Sequence, residues 1–221
     1  MAGGPRYTMH HDRMAMNVQD QILRAEQLSI SLEHVLTEKS YTIRNNRDGV
    51  CLLYWSLIFE HHQGILLLLR TKHYAPAFAL MRPIAEAFLR LQLVMHGTEA
   101  QLAAIKDGTY NTDFASIGKQ IDQMAGIEQP LLGAFFKKHT KILHGFTHGG
   151  LEQLMRRSDG PDIIANYPDD EVRDVVNFTT MFAFLTAVHI ADYLNLGAEF
   201  ERANKIYDEY RQAISHSDVN I

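Results

Sequence analysis

Crosslinks, phosphate-cradling glycine loops and strand alternation are all missing from this chain. It has a single cysteine, Cys51, which excludes a disulfide framework and a cysteine zinc site. Cys51 lies in an apolar run beside no evident activating partner, so a cysteine nucleophile is not expected. There is no Walker loop, no Gly-x-Gly-x-x-Gly, no Gly-x-Ser-x-Gly and no His-Glu-x-x-His. Their absence sets aside P-loop, dinucleotide, serine-hydrolase and zincin chemistry. Glu-x-x-His is absent as well, which argues against a carboxylate-bridged di-iron centre. The N-terminus holds Gly3, Gly4 and Pro5 but no apolar core of a signal peptide. The apolar runs near 65–69 and 182–190 fall short of the ~20 residues of a spanning helix, so no membrane span is expected and a reducing cytoplasm fits. Acidic residues outnumber basic ones, 26 to 21. Bulk charge therefore does not draw the chain to nucleic acid, and only a local basic face could.

What is present is helical periodicity. Residues 12–39 place Met14, Val18, Ile22, Leu28, Leu32, Val35 and Leu36 in a 3.6-residue rhythm. Helices are predicted over 47–71 and 75–96 with a turn at 72–74, Pro76 in the first turn and a kink at Pro83. Gly97 ends that helix, and Thr98-Glu99-Ala100-Gln101 is a capping-box signature for a short helix to about Lys106. Helices over 113–124 and 130–146, one or two turns at 151–157, a loop at 158–168, a long helix over 169–195 stopped by Gly197 and a last one over 198–215 complete the pattern. The expectation is an all-α, single-domain helical bundle of seven or eight helices over residues 11–216, with a flexible segment 1–10 and a tail 217–221.

Helices 47–71 and 75–96 are apolar nearly all round, which belongs in a core. Each keeps a thin polar stripe: Ser56, Glu60, Gln63 and Arg70 on the first, Arg82, Glu86 and Arg90 on the second. If the two helices run antiparallel with stripes facing, Glu60 reaches Arg82 or Arg90. Two readings follow. The stripes form a buried ion network that fixes helix packing, or a cleft in which Arg82 and Arg90 bind an anion and Glu60 or Glu86 orients them.

The helix over 130–146 is the second informative segment. Leu132, Phe135, Phe136, Ile142, Leu143 and Phe146 share one side with His139 in their midst, so His139 is expected as a packed core histidine. Lys137, Lys141, His144 and His148 collect on the other side. His144 and His148, four residues apart, could hold a metal if a third ligand such as His61, His62 or Glu60 joined them. They could instead serve acid–base chemistry, since imidazole titrates near neutrality and nearby cations suit phosphoryl-ester cleavage.

The long helical pair with Arg82 and Glu86, followed by a helix ending in Leu143-His144-Gly145, resembles the HEPN-like helical bundles of toxin, abortive-infection and defence proteins over roughly residues 47–195. Catalytic members of that group cut RNA without metal through Arg-x(4–6)-His, often as dimers that join two motifs in a cleft. The chain contains Arg90…His96, Arg211…His216 and Arg6…His11 at that spacing. The resemblance implies a homodimer that binds and cleaves RNA in a stress or phage-defence role and needs no cofactor. Arg82, Glu86, Glu60 and Lys141 would bind substrate, and Arg90, His96, His144 and His148 would act in catalysis. A different class of function also fits: a non-catalytic module that dimerises or binds a partner protein through the apolar positions of helices 12–39 and 170–195, helped by adaptable methionines. A metal-dependent hydrolase is the third reading.

Overall fold

A computed structural model describes residues 16–38, 42–128 and 131–216. The segment expected to be flexible, 1–10, and the expected tail, 217–221, lie outside the described residues, as does the Arg6…His11 pair. The helices are α1 (Val18–Thr37), α2 (Asn46–Arg70), α3 (Tyr74–Ala79), α4 (Met81–His96), α5 (Glu99–Lys106), α6 (Phe114–Met124), α7 (Leu131–Thr147), α8 (Leu151–Leu154), α9 (Asp169–Tyr193) and α10 (Gly197–His216). No strand occurs among the described residues, only one isolated bridge between Asp159 and Asp162. The chain is all-α, with more helices than the seven or eight expected.

The extra helix has a local cause. The predicted helix over 75–96 is two helices, α3 and α4, meeting at Leu80. Pro83 has no N–H to offer the carbonyl four residues back, so the Ala79 carbonyl is free, and Thr147 Oγ1 of α7 donates to it at 3.1 Å. The expected kink is thus a break that the neighbouring helix satisfies. Elsewhere local signals set the ends. Thr98 and Gln101 form the capping box, Asn17, Asn45 and Asp113 cap α1, α2 and α6, and Arg47 reaches the Val94 and Gly97 carbonyls at the end of α4. The end of α9 departs from expectation: Asn195 takes the left-handed turn with φ 59°, and Gly197 opens α10. Asparagine is one of the few side chains that enter this region at modest cost.

Helix α9 lies at the centre, packed on α1, α2, α4 and α10, and α2 also contacts α1, α3 and α4. Phe59, Phe88, Phe136 and Phe182 are fully buried between them, each contributing about 1.5–3 kcal/mol by leaving water. The rhythmic apolar positions of α1, among them Ile22, Leu32, Val35 and Leu36, are buried in the core, whereas Leu23 and Ile30 of the same helix are 44% and 50% exposed. By length and composition α2 and α9 are each apolar enough to cross a membrane, against expectation, although 61% of that stretch of α9 is buried in the bundle. In α2 only 39% is buried, and Leu53, Leu57 and Leu67 face outward.

Helices α6 and α7 form a tight pair on α4. Buried Asp122 of α6 accepts from the Leu132 and Gly133 amides at 3.1 and 2.9 Å, satisfying donors that the α7 N-terminus would otherwise leave free. The pair crosses at glycine: a Cβ on Gly118 would stand 2.8 Å from the Gly133 nitrogen and the Leu132 carbonyl carbon. Both are backbone atoms that cannot swing away. Gly118→Ala is therefore expected to destabilise the protein by about 1–3 kcal/mol, despite alanine's better helix propensity, read as a lower urea midpoint with an unchanged m-value.

Candidate functional site

Of the sequence-predicted residues, the structure brings Arg82 to the face of α7 that carries Lys141, His144 and His148. Arg82, in the first turn of α4, lies over the Phe114 ring at 5.0 Å and contacts His144 Nδ1 of α7 at 2.7 Å. Arginine is only a donor, so Nδ1 accepts, and a neutral His144 carries its hydrogen on Nε2. The His144 and His148 rings are 4.3 Å apart, one turn from each other. Both histidines and Lys141 are exposed. Phe114 is buried and gives Arg82 a rigid seat. The result is a basic, solvent-open face of two imidazoles, a guanidinium and the Lys137 and Lys141 ammonium groups, on a chain whose total charge is negative.

The remaining predicted residues lie elsewhere. Glu60 and Ser56 are exposed on α2, while Gln63 donates to Glu33 of α1 at 2.7 Å and Arg70 pairs with Glu26 of α1 at 3.1 Å. The α2 stripe thus turns toward α1 and solvent, not toward α4. The facing-stripe arrangement fails because the break at Leu80 re-aims α4, and because a helix apolar all round gives no register for its few polar groups. On α4, Arg90 pairs with Glu86 of its own helix at 2.8 Å, with the two side chains 26% and 34% exposed. That is a rim ion pair, not a dry network, and such pairs contribute at most about 1 kcal/mol. Burial pushes the nearby Tyr54 hydroxyl up, with Arg90 pulling the other way.

His96 is exposed at the far end of α4, about 21 Å along the axis from Arg82. It stands about 9 Å and 120° from Arg90 on the same helix, so the Arg90…His96 spacing does not place the two groups on one face. His96 lies instead on a cavity of about 430 Å³ with Gln92 and His189. There His189 Nδ1 bonds the Gln92 amide oxygen at 3.1 Å, and the buried Gln92 amide nitrogen has no partner. Burial, then the neighbouring His96, hold His189 below the usual imidazole range. The sequence did not signal this pairing because Gln92 and His189 belong to no motif and lie 97 residues apart.

Two histidines are exchanged relative to expectation. His139 is only half-buried, its ring tilted against Phe135 at 4.6 Å. The core histidine is His62, fully buried between Ser29 Oγ at 3.0 Å and Thr180 Oγ1 at 3.2 Å. Desolvation pushes its ionisation down to about 3, so it is neutral and links α1, α2 and α9. Held there, it cannot complete a metal site with His144 and His148. No group of three or more His, Cys, Asp or Glu side chains converges among the described residues. Cys51 is buried and pushed up to about 12, chiefly by desolvation, which leaves it without a thiolate at neutral pH.

A family profile matches residues 55–216, which take in Arg82, His96, His144, His148 and all of α3 to α10. The chain belongs to DUF6988, a family of unknown function. The profile begins within α2, so α1, which closes the His62 pocket through Ser29, lies outside the DUF6988 match. No curated protein and no solved structure matches the chain.

Proposed function

We propose that this DUF6988 protein is a HEPN-like bundle that binds RNA through its phosphates at the Arg82–His144–His148 face and cleaves it without a metal. The observation that carries the reading is the 2.7 Å contact between Arg82 and His144 Nδ1. A phosphate is a better acceptor for guanidinium than a neutral imidazole, because the bond becomes charge-assisted and can be bidentate. Substrate would therefore draw Arg82 away and release Nδ1 next to the bound phosphodiester. The freed imidazole takes the ribose 2′-hydroxyl proton as that oxygen attacks phosphorus. Arg82 and Lys141 stabilise the added charge, and His148 protonates the departing 5′-oxygen. The HEPN resemblance adds a homodimer, a cytoplasmic setting and a stress or phage-defence role to the same proposal.

A second reading, a protein-interaction module, is favoured by the outward Leu53, Leu57 and Leu67 on α2. One experiment separates the two. Purified protein is incubated with structured and unstructured RNA, with EDTA and with Mg²⁺, beside Arg82→Ala. The ribonuclease reading expects EDTA-resistant cleavage that Arg82→Ala reduces by about a hundredfold or more, together with weaker RNA binding and a shallower salt dependence. Full activity in Arg82→Ala sinks this site, and neither binding nor cleavage in any lane moves the protein to the interaction class.

A further inference from the structure

A cavity of about 380 Å³ opens between α7 and α9, over the α3–α4 junction. It lies on the side of α7 opposite the basic face, about 180° around the helix from His144. Phe78, Phe135, Phe146 and Phe178 line it. Phe78 and Phe146 meet edge to face at 5.0 Å, and Phe135 and Phe178 lie nearly parallel at 6.2 Å. His139 adds its ring at 4.6 Å from Phe135. Burial, followed by the adjacent Lys138, keeps His139 below the usual imidazole range, so it offers an uncharged aromatic face.

The polar groups in this cavity have one sign left over. Arg156 lies over Phe146 at 5.0 Å, and Glu171 holds it bidentately at 2.6 and 2.7 Å. A third bond to the Glu152 carbonyl fixes its position. That pair cancels its own charge. It also places a cation on a phenyl face in this wall. Asp174 lines the same cavity, one turn beyond Glu171 on the same side of α9. It is exposed and has no cationic partner among the described residues. Ring faces carry negative potential and attract cations. An uncompensated carboxylate at the edge of an aromatic pocket repels anions and gives a cation a counter-ion.

We infer that this cavity is a binding site for a small organic cation, of the aryl- or alkyl-ammonium class, with Phe135 and Phe178 covering the cationic head and Asp174 as its counter-ion. The site is independent of the RNA-binding face, so either proposal can fail alone. Calorimetric titration of the whole protein with benzyltrimethylammonium, benzyl alcohol and phenylacetate tests it. The cation is expected to bind best, phenylacetate not at all, and Asp174→Asn to weaken the cation by about fivefold or more without changing benzyl alcohol. Phe178→Ala should weaken both the cation and the alcohol. Asp174 is exposed, so its substitution should leave the thermal midpoint in place. Equal affinity for cation and alcohol, an unchanged Asp174→Asn, or no heat from the cation at about 10 mM overturns the proposal.

Discussion

The His144→Ala protein is expected to fold as the wild type does and to cut RNA about a hundred- to ten-thousandfold more slowly, the range for loss of a positioned acid or base. His144 is exposed, so its removal opens no cavity, and circular dichroism and the thermal midpoint should not move. The Arg82 donors that it satisfies at 2.7 Å pass to water at little cost. Binding should fall far less than rate, because Arg82 and Lys141 remain to hold phosphate. That split separates an acid–base role from simple charge. His148→Ala should give a comparable loss, whereas His96→Ala decides the location of the chemistry. A loss in His96→Ala as large as that in His144→Ala would return it to the Arg90…His96 end of α4.

Asp48→Asn should cost about 2 to 3 kcal/mol of unfolding free energy at neutral pH, as expected when a buried acceptor of charged hydrogen bonds is weakened. The Asp48 carboxylate has no exposed side-chain surface. It accepts from the Arg44 backbone amide and Nε at 2.9 Å each, from Arg44 Nη2 at 3.2 Å and from the Tyr193 hydroxyl at 3.0 Å. These bonds tie the start of α2 to the end of α9. The Arg44 side-chain bond is the largest cause that pulls Asp48 down to about 2, against burial acting the other way. Burial, then the bond to Asp48, push Tyr193 up to about 12, so Tyr193 remains a donor at neutral pH. Because the folded-state value of Asp48 is depressed, its contribution is fully present above the ordinary carboxylate value. It is lost as pH falls from about 4 through about 2. Urea titrations at pH 7 and pH 3 should show the wild type losing more stability over that window than Asp48→Asn. Equal acid sensitivity would place the acid-labile contact elsewhere.

Much of the helix plan is written locally. The Thr98–Gln101 box, the Asp113 cap and the Gly97 stop are short-range signals, and each acts where the sequence puts it. The rhythm of α1 likewise points its buried face correctly: Ile22, Leu32 and Leu36 are completely buried, although Leu23 and Ile30 stand exposed on the other side. Legibility fails on α2. Its residues are apolar in every direction, so periodicity cannot say which direction is inward. The fold leaves Leu53 71% exposed and buries His62 completely, the inverse of what hydrophobicity alone would choose. His62 is tolerated inside because Ser29 and Thr180, 33 residues before it and 118 after it, occupy both ring nitrogens.

The candidate site divides in the same way. The grouping of Lys137, Lys141, His144 and His148 on one face of α7 follows from a 3.6-residue repeat and needs no tertiary information. That Arg82 joins them, while Glu60, Arg90 and His96 do not, depends on the break at Leu80 and on the Thr147 bond to the Ala79 carbonyl that fixes α7 against it. An all-α chain, the capped helix ends at Asn17, Asn45, Thr98 and Asp113 and the basic face of α7 follow from the sequence alone, because caps and periodicity act over a few residues. Only the tertiary structure decided which polar groups meet, because that depends on helix register and crossing, set by packing between residues far apart in the chain.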